Sequence, residues 1–239
     1  MTRSQDPFPP LPGTGRACGI EIELAGLTEM QVARIARDRL GGRIEREAPH
    51  VVALHDSELG KLRIELDTAL RKLGGGRLVQ QGLDALRGVI PVEIVTEPLD
   101  AASVATLDTL REDLRAAGAL GSRHGVLLGF GVHLNPARAG SDARVIRIAR
   151  AYALLEDWLR ARRHIDVTRR ILPFVDPWPS SLVDDLVDAP PDTIEGLARL
   201  YARHTQSRNH GLDLLPLLHD AVPDAYAAIF PKAADIGGR

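Results

Sequence analysis

The sequence predicts an α+β fold: an antiparallel sheet with helices packed against one face. Three observations predict it. Runs that alternate apolar and polar with a period of two fill the first part of the chain. Apolar residues at three- and four-residue steps dominate from Ser141 onward. No linker, internal repeat or low-complexity tract separates the two parts, so the reading is one domain over residues 16–239, with separate small domains as the alternative.

The elements follow in order. "MTRSQDPFPPLPGTGR" is rich in Pro and Gly and lacks the apolar core of a signal peptide; residues 1–15 read as a flexible tail. "GIEIEL" is a strand with Ile20, Ile22 and Leu24 on one face and Glu21 and Glu23 on the other. "LTEMQVARIARDRLGG" is a helix, with Thr28 as N-cap and glycines at its end. Residues 42–70 alternate with turns at Ala48-Pro49 and Leu59-Gly60, which makes a three-strand antiparallel meander.

Gly74 to Gly76 interrupt the pattern, and "LVQQGLDALRGV" is a short helix before the strand "PVEIVTEPL", opened by Pro91 and closed by Pro98. "AASVATLDTLREDLRAAGAL" is a helix, and "GVLLGFGVHLNP" a glycine-bounded strand. Val145, Ile148, Ala149, Tyr152, Leu155 and Leu159 mark a long helix. "VTRRILPFVDPWPSSLV" is broken by proline, "DTIEGLARLYARHT" is a helix capped by Asp192, and "SRNHGLDLLPLLHDAVPDAYAAIF" is loop, then helix.

Charge and cysteine usage exclude several classes of function. Thirty Lys+Arg against 32 Asp+Glu give a net charge of −2, too balanced for a protein devoted to a nucleic-acid backbone. Cys18 is the lone cysteine, so the chain builds no internal disulfide or Cys-based zinc site, and a reducing cytoplasm fits. No run reaches transmembrane length. The expectation is a cytoplasmic protein with no nucleic-acid or membrane partner, its oligomeric state open.

The strand faces carry the chemistry. One face holds Glu21 and Glu23, another Glu65 and Asp67, a third Glu93 and Glu97, a fourth His133 and Asn135, and each opposite face is apolar. A solvated face mixes Thr, Lys, Arg and Gln with its acids, whereas these carry carboxylates, one imidazole, one amide and almost no basic residue. Oxygen ligands with one imidazole on a concave sheet suit a hard divalent cation, Mg²⁺ or Mn²⁺. A two-metal site clamping nucleotide phosphates is compatible with two glutamates two positions apart. No GxxxxGK[ST] phosphate loop and no Gly-x-Ser-x-Gly elbow occurs, so bound ATP would be held by metal and arginine, with Arg169, Arg170 and Arg208 available.

"GIEIEL", "VEIVTEPL" and "GFGVHLNP", in that order, with "LRIELDTAL" and "SRNHGLDLLPL", resemble blocks of the amidoligase family over roughly Gly19 to Leu217. The resemblance implies a fold similar to glutamine synthetase and glutamate-cysteine ligase. It also implies an ATP-dependent carboxylate-amine ligase acting on small-molecule or peptide substrates. Carried over by position, Glu21, Glu23, Glu93 and His133 match metal-binding strand residues, with Glu65 a further candidate. Arg208 and Asn209 fall in the block that helps form the active-site wall, and Arg169 is a further nucleotide contact; Glu21, Glu93 and Arg208 are the expected catalytic groups. The family's later Glu-x-Arg strand has no counterpart before "PKAADIGGR", so the expectation is a domain lacking that strand, or one in which another residue replaces its arginine. Two other readings stand beside the ligase: a metal-dependent phosphoryl-transfer or hydrolytic enzyme on the same sheet, and a binding protein without turnover.

Overall fold

The computed structural model describes residues 16–66, 91–121, 131–138, 140–162 and 176–233. Asp67, the Gly74 to Gly76 turn, the expected helix near residues 78–89, and Arg169 and Arg170 lie outside the described residues. The chain divides into two compact units, residues 1–137 and 138–239.

The first unit is built on one sheet. Its strands are β1 (Cys18–Leu24), β2 (Arg43–Ala48), β3 (Val51–Ser57), β4 (Gly60–Leu66), β5 (Val92–Thr96) and β6 (Val132–Pro136), with helices α1 (Glu29–Leu40) and α2 (Ala101–Ala116). The spatial order is β2-β3-β4-β5-β1-β6, and every neighbouring pair is antiparallel. The expected meander is β2-β3-β4, with its turns one residue displaced, at Pro49-His50 and Glu58-Leu59.

One face of this sheet is the core. Ile20, Ile22, Val52, Leu54, Leu62, Ile64, Val92 and Ile94 pack with Val32, Ala33 and Ala36 of α1 and Leu107, Leu110 and Leu114 of α2. The period-two burial of β1, with Cys18, Ile20, Ile22 and Leu24 inside, leaves Glu21 and Glu23 on the other face. Among the described residues, α1 and α2 are the helices that share this core.

Local chemistry sets where α1 begins and ends. Thr28 caps it as expected: its hydroxyl accepts the Gln31 amide, and the Gln31 side chain accepts the Thr28 amide at 2.8 Å, a reciprocal capping box. Beyond the helix, Gly42 has φ of 92°, and a Cβ there would lie 2.4 Å from the His55 carbonyl, so only glycine fits this close return into β2. Buried Glu29 meets His50 Nδ1 at 2.9 Å, tying the helix start to the β2–β3 turn. Thr28→Ala is expected to cost about 1 kcal/mol, read as a lower urea midpoint with an unchanged slope.

The second unit is helical among its described residues: α3 (Asp142–Arg162), α4 (Ser180–Asp188), α5 (Ile194–His204), α6 (Leu215–Ala221) and α7 (Pro223–Ile229). Its core joins Val145, Ala149, Trp178, Leu182, Leu186, Leu197, Tyr201, Leu215, Leu218, Tyr226 and Phe230. Three expectations change here. The cap of α5 is Thr193, whose hydroxyl accepts the Gly196 amide at 3.0 Å, and not Asp192. The buried stripe of α3 is Val145, Ile146, Ala149, Ala153 and Glu156, which leaves Ile148 and Leu155 exposed. The last expected helix is two short ones, α6 and α7, parted at Pro223, which cannot continue the ladder of hydrogen bonds. Among the described residues no helix is long and apolar enough to cross a membrane.

Candidate active site

Strand pairing decides which of the acidic residues meet. Directly opposed residues of an antiparallel pair lie on the same face. Glu65 opposes Glu93, and Glu93 opposes Glu23, so three carboxylates form one row across β4, β5 and β1. The next row, two residues along, is Arg63, Val95, Glu21 and His133. Gly19 and Asn135 belong to a third row. The register therefore brings Glu21, Glu23, Glu65, Glu93 and His133 onto one side of the sheet, opposite the core.

Burial sharpens the electrostatics. Glu65 and Glu93 are 3% and 4% exposed, so both carboxylates lie inside the protein rather than in water. Two ionised carboxylates about 5 Å apart repel by about 3 kcal/mol at an effective dielectric of 20. Such a row is tolerable when positive charge or hydrogen-bond donors attend it.

The β1–β6 edge supplies donors and an imidazole. Asn135 Nδ2 donates to Glu21 Oε1 at 3.1 Å, while Glu21 Oε2 stands 3.8 Å from His133 Nδ1. The Gly131 amide donates to Glu23 Oε2 at 2.9 Å, while Glu23 Oε1 stands 3.7 Å from His133 Nε2. Each carboxylate has one oxygen fixed by an N–H donor and the other turned toward the same imidazole. Distances of 3.7 and 3.8 Å are too long for hydrogen bonds.

At the β4 end the positive group is one that strand patterning passed over. Arg63 shares the face of Glu65, two residues before it in "LRIEL", and its Nη2 lies 3.1 Å from Glu65 Oε2. Its Nε stands 3.9 Å from Glu47 Oε2, and Lys61 Nζ binds Glu47 Oε1 at 2.6 Å. The Lys61 hydrogen bond holds the Glu47 carboxyl below its ordinary range, with Arg63 a smaller contributor. The face is thus less purely acidic than the sequence suggests. The signal was present in the alternation Lys61, Arg63, Glu65.

Among the described residues no group of three or more His, Cys, Asp or Glu side chains is gathered closely enough to hold a metal ion. Partners explain part of this, since Arg63 draws Glu65 to one side and Asn135 and Gly131 each fix one oxygen of Glu21 and Glu23. The donor set itself, four carboxylates and one imidazole, is that of a hard divalent cation.

Arg208 and Asn209 belong to the second unit, in the loop between α5 and α6. Both are exposed, and the loop around them is tied down by its own side chains. Thr205 Oγ1 accepts the Ser207 amide and pairs with His210 Nε2 at 2.9 Å; Ser207 Oγ accepts the Asn209 amide at 3.0 Å. Asp176 donates its amide to the Asn209 carbonyl at 2.6 Å, and Arg208 Nε donates to Asp213 Oδ2 at 2.9 Å.

A family model described as "Putative amidoligase enzyme" matches residues 14–227. No curated protein and no solved structure matches the chain. The family match spans both units and contains every strand and helix through α6, including all the residues of the acidic rows. By that match the chain belongs to the amidoligase family.

Proposed function

We propose that the chain is an ATP- and divalent-metal-dependent ligase that joins a carboxylate to an amine through an acyl phosphate. One observation carries the reading: Glu23 stands in cross-strand register with Glu93 and Glu65 on the face away from the core, and Glu21, one row along, is oriented with it about His133. Glu21, Glu23, Glu93 and His133, with Glu65 behind them, would hold Mg²⁺ or Mn²⁺. The metal would neutralise nucleotide phosphate charge so that a carboxylate anion can approach the γ-phosphorus.

The chain's residues have defined tasks in this scheme. Asn135 and the Gly131 amide keep Glu21 and Glu23 from turning into solvent. The substrate carboxylate oxygen forms a bond to the γ-phosphorus as the bond to ADP breaks. The amine nitrogen then forms a bond to the acyl carbon, and phosphate leaves with the bond that joined it to that carbon. The amine's surplus proton passes to a base or to water.

The test is ADP release from Mg²⁺-ATP by the purified chain against a panel of amino acids and dicarboxylates as carboxylate donors, with and without added amines. Release that requires both partners supports the ligase. Binding of Mg²⁺-ATP without release under any pairing supports instead a protein that keeps the fold without turnover, a reading favoured by the Arg63 pair on Glu65.

His133→Ala is expected to weaken Mn²⁺ affinity about tenfold or more in titration calorimetry, because the imidazole is the one nitrogen donor among the candidate metal ligands. Unchanged affinity would remove His133 from the metal site.

A further inference from the structure

Arg208 is half-exposed, its side chain 48% accessible, whereas Asp213 beneath it is 20% accessible. The pair is made through Arg208 Nε, so the outer edge of the guanidinium, carrying Nη1 and Nη2, remains available to a ligand. Asp213 is itself fixed, because its Oδ1 accepts the Leu215 amide at 2.9 Å in the first turn of α6. A planar guanidinium held by Nε to an immobile carboxylate has a set plane and direction, which is what two-point recognition of an oxyanion requires.

The backbone on both sides of Arg208 is held as well, by the hydroxyls of Thr205 and Ser207 and by the Asp176 amide. Tyr226 of α7 feels the charges of the same pair. It is buried between His219 and Phe230, and its hydroxyl finds no hydrogen-bond partner among the described residues. Burial first, and the Asp213 charge second, push its pKa up to about 12, with Arg208 opposing. A surface ion pair built for stability alone needs none of this, since exposed pairs contribute little.

We propose that Asp213 is a positioning residue that holds Arg208 as a fork for a phosphate-type oxyanion, an inference that rests on the ligase reading for its physiological ligand but not for its geometry.

The experiment is calorimetric titration of the full chain with pyrophosphate, and separately with Mg²⁺-ATP, for wild type, R208Q, R208K, D213N, D213A, D213E and the surface control R203Q. Arg203 lies 3.8 Å from Asp185 on the neighbouring helix and serves as an ordinary exposed pair. Melting curves accompany each variant. Wild type is expected to bind pyrophosphate. R208Q and R208K should both lose about tenfold or more, the lysine because it keeps charge without the fork. D213A and D213N should lose about fivefold to tenfold, D213E should recover to within about threefold of wild type, and R203Q should be unchanged.

If D213A does not fold, D213N decides the matter, since its Oδ1 can still accept the Leu215 amide. Aspartate variants that bind like wild type while R208Q does not would overturn the positioning role. R208Q binding like wild type would overturn the fork itself. Pyrophosphate binding through Arg208 without amine-dependent ADP release would sink the ligase reading and leave the fork standing. Ligase turnover whose KM for ATP is the same in D213N and wild type would do the reverse.

Discussion

Changing Glu93 to glutamine is expected to raise the melting temperature of the metal-free protein and to remove its response to Mg²⁺ and ATP. Glu93 is the centre of the Glu65–Glu93–Glu23 row and is almost fully buried, with a carboxylate residue opposite it on either side. Ionised side chains along this row would form like-charge cross-strand pairs; the amide keeps the shape and removes that repulsion, for an expected gain of about 1 kcal/mol. With ligand the sign reverses. At a hundredfold excess over Kd, wild type gains about 2.7 kcal/mol from binding, and a variant with a neutral amide in place of the central carboxylate gains little. ADP release should fall by about a hundredfold or more, since even partners one step removed from a metal cost tenfold to a hundredfold. The two melting curves, with and without Mg²⁺-ATP, should therefore cross between wild type and Glu93→Gln. Curves that shift in parallel would mean that the row is only the polar side of a sheet.

The attraction of that test is that it separates charge from packing. Leu62, Ile64, Val92 and Ile94 on the opposite face hold β4 and β5 in the core whichever side chain stands at position 93. Arg63 supplies the complementary control. Its guanidinium already offsets Glu65, so removing the charge of Glu93 changes the balance at the Glu23 end of the row more than at the Glu65 end.

Strand faces were legible in the sequence because a period of two is a local property, and Glu21 and Glu23 could be assigned to one side from "GIEIEL" alone. Their neighbours were not legible. That Glu93 lies between Glu23 and Glu65, and that His133 opposes Glu21, depends on pairing between segments tens of residues apart. Arg63 is visible in the alternation of "KLRIEL", but its pairing with Glu65 depends on side-chain conformation that a period of two does not specify. The buried face of α3 is only partly legible: Val145 and Ala149 pack as the spacing predicts, with Tyr152 against them, whereas Ile148 and Leu155 face out and Ile146, small Ala153 and a carboxylate, Glu156, are buried. The burial of Glu156 is made tolerable by donors that no local pattern announces. The Trp178 amide reaches its Oε2 at 2.9 Å, and the Tyr152 hydroxyl its Oε1 at 3.0 Å. Helix α4 hid behind "DPWPSS", where prolines before the first turn look like a break although Pro179 sits at the cap.

Glu156 is also where stability and the Arg208 loop meet within the second unit. By accepting the Trp178 amide it fixes the short segment that begins at Asp176, and that segment holds the loop twice. Trp178 Nε1 donates to the Leu212 carbonyl at 3.0 Å, and Asp176 pairs with Asn209 and His210 on either side of its peptide. Glu156→Ala is therefore expected to lower stability by about 3 kcal/mol, because the buried Trp178 amide loses its acceptor, at roughly 1–3 kcal/mol, and the half-buried Tyr152 hydroxyl loses a hydrogen bond worth about 1 kcal/mol. The melting temperature should drop by roughly 10 °C for a chain of this size. Glu156→Gln, which keeps one acceptor in place, should cost about half as much. The loss should not be uniform along the chain. Hydrogen exchange should speed up at the amides of Asn209 to Leu212 and at Trp178, while those of Ile20, Ile64 and Ile94 in the sheet unit keep their protection. Equal acceleration in both units would show that Glu156 acts on global stability alone. Acceleration confined to the loop segment would show that the carboxylate holds the shape of the Arg208 loop through Trp178.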